Sequence, residues 1–487
     1  MFKELRAGFR RVYSQEPELQ GRVPARINLL GTHVEHQGGY VNTLAVDHYL
    51  YFAASYRNDS VICARNQDPA FQELSFHLEE MIPSSKVSWN EYIHLQNLEY
   101  GNWGNYIKAV CGYFAVLRGK DLRQGLNLYF SGDIPVGAGL SSSSSLVVAV
   151  TLLLAKAHGW SYSSEELVEI AGRAEWYVGT RGGWGDHAAM VFGEKERLAH
   201  FCFFPFHLEY SPFPSNLSVI CAHSMVKAKK SEEARNIFNQ RIACYQIGLK
   251  LVHQYFSHLK EKIPRLRDIN PRNLGNEEQV YEILLRLPRS ICLPSLFREL
   301  PGQEEALESI LSTHAIDDYY PIRDVMSYGI AECERSRLGS VLMKAQKYHD
   351  FGELMFISHD GDRVSSWKEG KKTDWLWEAT DENIAAHQKT FYNKTADTVS
   401  SLAMLPGAYR CSIPEIDCIV DIVKPMEGVL GAKLTGAGLG GAVLILVEKE
   451  QVKEVIASLT KKYYYPRNFS PSVFECRSVA GAVIEGV

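Results

Sequence analysis

A glycine-rich loop that runs directly into a long apolar helix constrains this chain more than any other feature of its sequence. The segment SGDIPVGAGLSSSSSLVVAVTLLLAKAHG, residues 131–159, joins a strand-like stretch at 126–130 to that helix. Gly137 and Gly139 would let the backbone approach a ligand closely, and the helix start offers unpaired N–H groups and a positive dipole end. The segment therefore predicts a site for a phosphate or another anion. A structural alternative stays open: the glycines would only turn the chain, and a serine would cap the helix.

Two common phosphate-binding motifs do not account for this loop. The sequence contains no G-x-x-x-x-G-K-[ST] string, and the loop lacks the third glycine of the dinucleotide fingerprint. GAGLGG at 436–441 does match G-x-G-x-x-G, but residues 442–447 continue as a strand, whereas a dinucleotide site needs a helix there. This argues against an NAD-dependent oxidoreductase. Taken alone, the GAGLGG segment at 436–441 is either a hairpin turn or a binding loop.

The composition limits what such a phosphate site can serve. A chain of 487 residues with 46% hydrophobic and 22% charged residues is typical of a globular protein of two or three domains. Its net charge of −5 argues against a nucleic-acid or anionic-membrane partner, because such proteins need a basic surface. The ten cysteines form no C-x-x-C pair, which indicates buried thiols in a reducing compartment. The longest apolar stretch, 146–155, is far shorter than the ~20 residues that span a bilayer, so we expect a cytoplasmic protein.

Periodicity and turn signals indicate an α+β chain. Residues 2–14 predict an amphipathic helix, and Ser163 and Glu166 have the spacing of a capping box that begins another. Residues 431–449 predict a strand, a glycine loop and a second strand. Two charged, turn-rich stretches are predicted to be surface insertions: 264–277 and 366–385.

Three segments, in this order, resemble the signature motifs of the GHMP kinases, the superfamily of galactokinase, homoserine kinase and mevalonate kinase. They are PARINLLGTHVEHQGG (24–39), PVGAGLSSSSS (135–145) and KLTGAGLGGA (433–442). The first is similar to the galactokinase branch. Two further segments are similar to the adenine segment and the catalytic-aspartate loop of that branch: WGNYIKAV (103–110) and GWGDHAAM (183–190).

The resemblance implies a two-lobed α+β fold with the active site in the cleft between the lobes. Residues 1–205 would form an N-terminal lobe of the ribosomal-protein-S5-like type, and residues 206–487 a C-terminal α/β sandwich lobe. The implied partners are ATP, Mg²⁺ and a small sugar or sugar acid.

The same resemblance implies the site residues. Asp186 would accept the proton of the attacking hydroxyl, and Arg26 would orient that carboxylate and offset phosphoryl charge. Mg²⁺ would be held by a serine of the loop, taken as Ser142, and by Glu175, because it prefers hard oxygen donors. The implied sugar-binding residues are Arg26, Thr32, His33, Glu35, His36, Gly185 and Asp186. The implied ATP-binding residues are Trp103, Pro135, Gly137, Ala138, Gly139, Leu140, Ser141, Ser142, Ser143, Gly436 and Gly438.

Each of the main assignments has a structural alternative. Asp186 would then be a turn residue beside glycines, and Arg26 a member of a structural ion pair. Glu175 would be a solvated glutamate on a helix surface, and Trp103 a core residue.

The predicted substrate rests on a departure within the first motif. The galactokinase pattern has a glutamate before the motif's histidine, where it contacts the C6 hydroxyl of the sugar, whereas this chain has Thr32. The string GTHVEHQGG is more similar to galacturonokinases of the plant type. A glutamate would repel a carboxylate at C6 by roughly 1–4 kcal/mol, and threonine removes that repulsion. His33 and His36 could add donors, positively charged if protonated.

We therefore expect anomeric phosphorylation of a hexuronic acid, with galacturonate as the first choice. The motif does not separate galacturonate from glucuronate. Galactose, or another neutral sugar, is the alternative substrate. A sugar- and ATP-binding regulator without catalysis is the non-enzyme alternative, because a fold does not dictate a function.

Overall fold

The fold consists of two main β-sheets with helices packed against them. The computed structural model describes residues 1–96, 98–99, 101–179, 182–226, 232–392 and 399–487. The α-helices of this described part are α1 (Phe2–Tyr13), α2 (Trp89–His94), α3 (Gly104–Arg118), α4 (Ser142–Ala157), α5 (Ser164–Glu175), α6 (Gly185–Phe192), α7 (Glu232–Tyr255), α8 (Pro271–Leu274), α9 (Glu277–Arg286), α10 (Leu293–Glu299), α11 (Glu304–Leu311), α12 (Ile322–Lys344), α13 (Tyr348–Asp362), α14 (Asp381–Tyr392), α15 (Pro414–Val423) and α16 (Val452–Leu459). The strands of the same part are β1 (Leu19–Leu30), β2 (Val41–Tyr56), β3 (Val61–Asn66), β4 (Leu74–His77), β5 (Leu126–Gly132), β6 (Arg197–Cys202), β7 (His207–Pro212), β8 (Leu217–His223), β9 (Ile291–Cys292), β10 (Tyr319–Tyr320), β11 (Ser365–Lys368), β12 (Lys371–Asp374), β13 (Val429–Leu434), β14 (Ala442–Glu448), β15 (Val473–Cys476) and β16 (Val483–Gly486).

The larger sheet is built around β1 and β2. Its order is β16-β1-β2-β5-β3-β4, with β6 paired to the start of β2 and β7 paired to β6. All its pairs are antiparallel except that of β3 with β5. One core cluster joins these strands to α3, α4 and α5, which is why the glycine loop before α4 lies beside β1.

The smaller sheet has the order β13-β14-β8-β15 and is antiparallel throughout. Strand β14 is buried along Ala442–Val447, as expected for an apolar run covered on both faces. A shared core brings residues of β1, such as Ile27 and Leu29, into one cluster with residues of β14, such as Leu444 and Leu446. The end of β1 and the loop between β13 and β14 are therefore neighbours.

Several local predictions are confirmed. Helix α1 covers the predicted amphipathic segment and buries Leu5 and Phe9. Helix α5 begins with a complete capping box between Ser163 and Glu166. The segment at 431–449 is strand, glycine loop and strand.

The predicted surface insertion at 264–277 is wrong. Leu266, Ile269 and Leu274 are buried in the core around α7, α9 and α12. Arg267 reaches back and donates hydrogen bonds to the carbonyls of Gly38 (3.1 Å) and Phe203 (2.7 Å). The buried Leu266, Ile269 and Leu274 therefore anchor a segment whose composition is dominated by charged and turn residues.

The stretch at 366–385 is only partly exposed. The hairpin of β11 and β12 carries exposed residues at 368–374, but Ala379 and Ile384 behind it are buried. Among the residues that the structure describes, no helix is long and apolar enough to cross a membrane.

The division into 1–205 and 206–487 stays a proposal, and the sheets do not separate there. Strand β7 lies beyond residue 205 but extends the larger sheet through β6. Strand β16, at the other end of the chain, pairs with β1 over Leu19–Arg22.

Candidate active site

An arginine and an aspartate form the centre of the candidate site. Arg26 lies on β1 and is 4% exposed, whereas Asp186 lies in the first turn of α6 with 31% of its side chain exposed. Arg26 Nε and Nη2 donate to the two oxygens of Asp186, each at 2.6 Å. Such a two-point pair fixes the plane of the carboxylate as well as its position. The sequence placed Asp186 in a loop, but it begins a helix.

Arg26 also connects this carboxylate to the glycine loop. Its Nη1 donates to the carbonyl oxygen of Gly139 at 2.6 Å. Ser141, at the N-cap of α4, has a positive φ of 58° and makes no capping hydrogen bond. Its hydroxyl donates to Asp186 instead. Ser141 therefore does not cap α4, contrary to the structural alternative in which a serine of the loop caps this helix.

The loop between β13 and β14 packs directly on the first glycine loop. Thr435 Oγ1 donates to the Gly139 carbonyl at 3.4 Å. A Cβ at Gly139, where φ is +74°, would lie 2.5 Å from the Thr435 carbonyl oxygen, and one at Gly436 would lie 3.1 Å from the Gly139 Cα. Gly438 is equally confined, since its Cβ would lie 2.1 Å from the Cys411 carbonyl oxygen. Both glycine motifs of the sequence thus meet at one place.

The predicted metal ligand Glu175 is hydrogen-bonded to a serine and paired with a histidine. Glu175 Oε2 accepts a hydrogen bond from Ser144 at 2.8 Å, and His187 Nε2 lies 2.8 Å away. Burial alone would raise the pKa of Glu175, but His187 and Ser144 outweigh it and hold the pKa below its ordinary value. Ser144 lies on the buried face of α4 towards α5. Ser142 as the serine ligand of Mg²⁺ stays a prediction.

This oxygen donor set fits Mg²⁺, which takes carboxylate and hydroxyl oxygens and retains waters or phosphate ligands. Among the described residues, no group of three or more His, Cys, Asp and Glu side chains could hold a metal ion. A metal at Glu175 would therefore need oxygens from a ligand such as a phosphate.

The chain after β1 brings several predicted sugar-binding residues to the Arg26–Asp186 pair. Glu35 packs against the segment before α6: a Cβ at Gly183 would lie 2.1 Å from Glu35 Cγ, and one at Gly185 would lie 3.9 Å from Glu35 Cβ. Burial and then the charge of Asp186 raise the pKa of Glu35. The structure therefore places Glu35, Gly185 and Asp186 close together, and their role in sugar binding stays a prediction.

His36 differs from the expectation. Its Nε2 is buried and has no hydrogen-bond partner in the described part of the chain. Burial, and to a smaller extent His33, lowers the pKa of His36 to about 3. A histidine of this kind is neutral at pH 7, so it does not supply the positive charge that a sugar carboxylate would attract.

Buried tyrosines form a wall beside His33 that the sequence did not reveal. The His33 ring, at a residue with φ of 69°, stacks on Tyr409 with 4.2 Å between centroids, and Tyr245 stacks on Tyr409 at 5.8 Å. The hydroxyls of Tyr245 and Tyr409 and the Nε2 of His33 are buried without a hydrogen-bond partner among the described residues. His33 Nε2 lies 3.5 Å from Asp362 Oδ1, whereas the two tyrosine hydroxyls are typical of buried polar groups that a polar ligand or water satisfies.

A second missed residue is Lys433 at the start of the third motif. It is fully buried, and its Nζ donates to Thr32 Oγ1 at 2.6 Å and to Ser358 Oγ at 2.8 Å. Glu332, also buried, accepts from the backbone N–H groups of Gly31 (2.7 Å) and Thr32 (3.2 Å). The third motif therefore contacts the first motif at Thr32 and the second motif at the glycine loops.

Trp103 has the contacts of a core residue. Its Nε1 donates to the Gln72 carbonyl at 2.7 Å, and its ring meets Phe71 and Phe130 edge to face. Its role in adenine binding stays a prediction.

Three parts of the chain are similar to known protein families. Family models match in three places: the GHMP kinases N terminal domain at 105–194, the galactokinase galactose-binding signature at 7–56 and the GHMP kinases C terminal domain at 388–465. The galactokinase of Dictyostelium discoideum is 25% identical over 475 residues, which cover 95% of this chain and 88% of that protein. The galactokinase of Saccharomyces cerevisiae is 26% identical over 492 residues, which cover 93% and 88%.

A solved structure shows the same fold. Lactococcus lactis galactokinase, crystallised with galactose, superposes with a TM-score of 0.69 at 20% identity and covers 99% of both chains. The two chains therefore share their architecture from end to end.

Proposed function

We infer that this chain, which has the GHMP kinase fold in two domains and is a galactokinase-like sugar kinase, transfers the γ-phosphoryl group of ATP to the anomeric hydroxyl of a hexose-type sugar. The observation that carries the proposal is the two-point Arg26–Asp186 pair placed directly under the glycine loop. A regulator without catalysis would have no need to keep this pair aligned.

In the proposed reaction, the sugar hydroxyl oxygen bonds to the γ-phosphorus while the bond from that phosphorus to the β,γ-bridging oxygen breaks. ADP leaves, and the hydroxyl proton passes to Asp186. Arg26 keeps Asp186 ionised and oriented, and its charge offsets the charge of the moving phosphoryl group. Arg26 is buried, whereas Asp186 keeps 31% of its side chain exposed, so a sugar hydroxyl could reach the carboxylate.

The ATP phosphates would lie at the N-terminus of α4, where Gly137–Ser141 brings the backbone close and Ser141 does not cap the helix. Glu175 with Ser144 or Ser142 would hold Mg²⁺, which when bound supplies positive charge against the phosphates.

Galactose is the first candidate substrate. The relatives described above are galactokinases, and a galactokinase galactose-binding signature matches residues 7–56, which include Arg26 and the stretch Thr32–His36. Glu35 beside Asp186 would accept hydrogen bonds from sugar hydroxyls or, when protonated, donate one.

Galacturonate is a second candidate, favoured by one observation: Thr32 contacts a buried lysine, Lys433, where galactokinases carry a glutamate. Other groups disfavour a sugar carboxylate. Glu35 and Asp362 are acidic residues, and His36 is neutral at pH 7 and so offers no positive charge. The similarity to galactokinases favours galactose. The two candidate sugars differ only at C6, which is a hydroxymethyl group in galactose and a carboxylate in galacturonate.

A coupled assay of ADP release over a panel of neutral hexoses and hexuronic acids tests the proposal. We expect saturable, Mg²⁺-dependent ADP release with galactose, galacturonate or both, and a lower rate with glucose or glucuronate, which differ at C4. ADP release that does not depend on any sugar would contradict it.

A further inference from the structure

We propose that Arg267, which lies outside the three motifs, is a positioning residue of the sugar site: its guanidinium holds the turn that places Glu35 beside Asp186. The proposal rests on the proposed function and deepens it. Glu35 lies in the short helical turn Glu35–Gln37 after β1. Arg267 lies in another short turn, Leu266–Asp268, between α7 and α8.

One guanidinium bridges two segments of the candidate site. Arg267 Nη1 donates to the carbonyl oxygens of Gly38 at 3.1 Å and of Phe203 at 2.7 Å, and its Nη2 donates to the carbonyl oxygen of Phe204. A guanidinium carries five N–H donors in a fixed plane, so it can hold several carbonyls in one relative position. Arg267 therefore ties the turn after β1 to the loop after β6.

The bond to Gly38 fixes the turn that carries Glu35. The N–H of Gly38 donates to the Glu35 carbonyl at 3.0 Å and closes this turn, and the carbonyl of the same glycine is the one that Arg267 holds. Gly38 has a φ of 81°, and a Cβ there would lie 2.9 Å from Arg267 Cδ. The arginine and the turn are thus in direct contact, and removing the guanidinium would release the turn.

The bonds to the loop after β6 lead to the start of α6. Trp184 packs on the rings of Phe203 and Phe204, each with 5.6 Å between ring centroids. Trp184 is the N-cap residue of α6, whose first turn contains Asp186. Arg267 therefore connects, from outside the site, the two segments on which the relative position of the two carboxylates depends.

Arg267 acts from an anchored position. Its neighbours Leu266 and Ile269 are buried, and Asn270 Nδ2 donates to the Arg267 carbonyl at 2.8 Å. The carboxylate of Asp268 lies 3.7 Å from Arg267 Nε, which is long for an ion pair. Because apolar residues anchor this segment, the hydrogen bonds of the guanidinium serve the turn and the loop that it joins rather than the segment itself.

The test separates the KM for the sugar from kcat and from the KM for ATP. The substrate is the sugar of the panel above that the wild type phosphorylates with the highest kcat/KM. In Arg267→Gln we expect the KM for this sugar to rise at least about tenfold, with kcat within about threefold and the KM for ATP within about twofold of the wild type. A merely structural role would lower the fraction of folded enzyme, and so kcat, without a selective change in the KM for the sugar.

Arg272→Gln is the matched control. Arg272 lies in the same segment, 264–277, but pairs with Glu334. All three constants should stay within about twofold of the wild type in this variant.

A second measurement shows whether Arg267 acts through Glu35. In the Glu35→Gln background, Arg267→Gln should raise the KM for the sugar no more than about twofold further, because residues that act in series are not additive. Effects that multiply in the double variant would overturn the proposal.

Thermal unfolding shows whether each variant is folded. If Arg267→Gln does not fold, Arg267→Lys, which keeps a single donor group, carries the test with an expected rise in the KM for the sugar of at least about threefold. An unchanged KM for the sugar in the folded variant would overturn the proposal and leave the proposed function intact. A wild type that phosphorylates no sugar of the panel would contradict the proposed function and this proposal with it.

Discussion

At the residue scale, the ion pair under the glycine loop determines how Asp186 titrates. Burial by itself would raise the pKa of Asp186, but Arg26, and after it Ser141, hold the pKa below its ordinary value. Arg26 and Ser141 therefore favour the ionised form of Asp186.

Arg26→Gln should move the acid limb of the kcat/KM profile to higher pH. Without the guanidinium the carboxylate loses its strongest stabilisation, so its pKa rises and it becomes protonated earlier on acidification. The profile of kcat/KM reports the free enzyme and is the measurement to make. Arg272→Gln is the matched control, because Arg272 pairs with Glu334 and not with Asp186. An acid limb at the same pH in Arg26→Gln and the wild type would contradict the role of the pair.

The residues that could be predicted from the sequence are those inside the motifs. The hydrogen bond between Ser144 and Glu175 was not predicted, because the sequence does not show where in a run of five serines the helix begins. Tyr245 and Tyr409 could not be found, because they reach the site from distant parts of the chain with no local signal. Lys433 begins the third motif, but the sequence does not show that it is buried against Thr32.

At the scale of elements, the contact between the two glycine loops is the feature most open to test. Gly139→Ala and Gly159→Ala both place a Cβ at a positive φ, of 74° and 66°, which costs about 1–2 kcal/mol. Only Gly139→Ala also meets a backbone atom, the Thr435 carbonyl oxygen, whereas nothing lies within 4 Å at Gly159.

We therefore expect Gly139→Ala to lower the free energy of unfolding by more than Gly159→Ala does, and to be the one that weakens Mg·ADP binding. Urea unfolding and calorimetric titration measure the two effects. Equal losses of stability, with nucleotide binding intact in Gly139→Ala, would show that the loops do not depend on each other.

Elements with a local cause were predictable. Helix α5 followed from its capping box and the β13–β14 hairpin from an apolar run after glycines. The segment 264–277 was misread because turn residues and charges dominate its composition, while the buried Leu266, Ile269 and Leu274 are too widely spaced to show a period.

At the scale of the whole molecule, the site depends on long-range pairing that sequence patterns do not encode. Strand β16 is short and mostly exposed, yet it pairs with β1, the strand that carries Arg26. The core shared by β1 and β14 brings the first and third motifs together. The α+β composition and the fold class could be predicted from the sequence. The pairing of β16 with β1 and the packing of the first motif against the third could be seen only in the structure.

The most direct test is the identity and rate of the product in wild type and Asp186→Asn. We expect ³¹P NMR to show a sugar 1-phosphate formed by the wild type with ATP and saturating Mg²⁺. Turnover in Asp186→Asn should fall at least ~10²-fold, while ATP binding persists, because the change removes the proton acceptor and leaves the phosphate loop in place. Comparable turnover in Asp186→Asn, or phosphate on a hydroxyl other than the anomeric one, would contradict the proposed reaction.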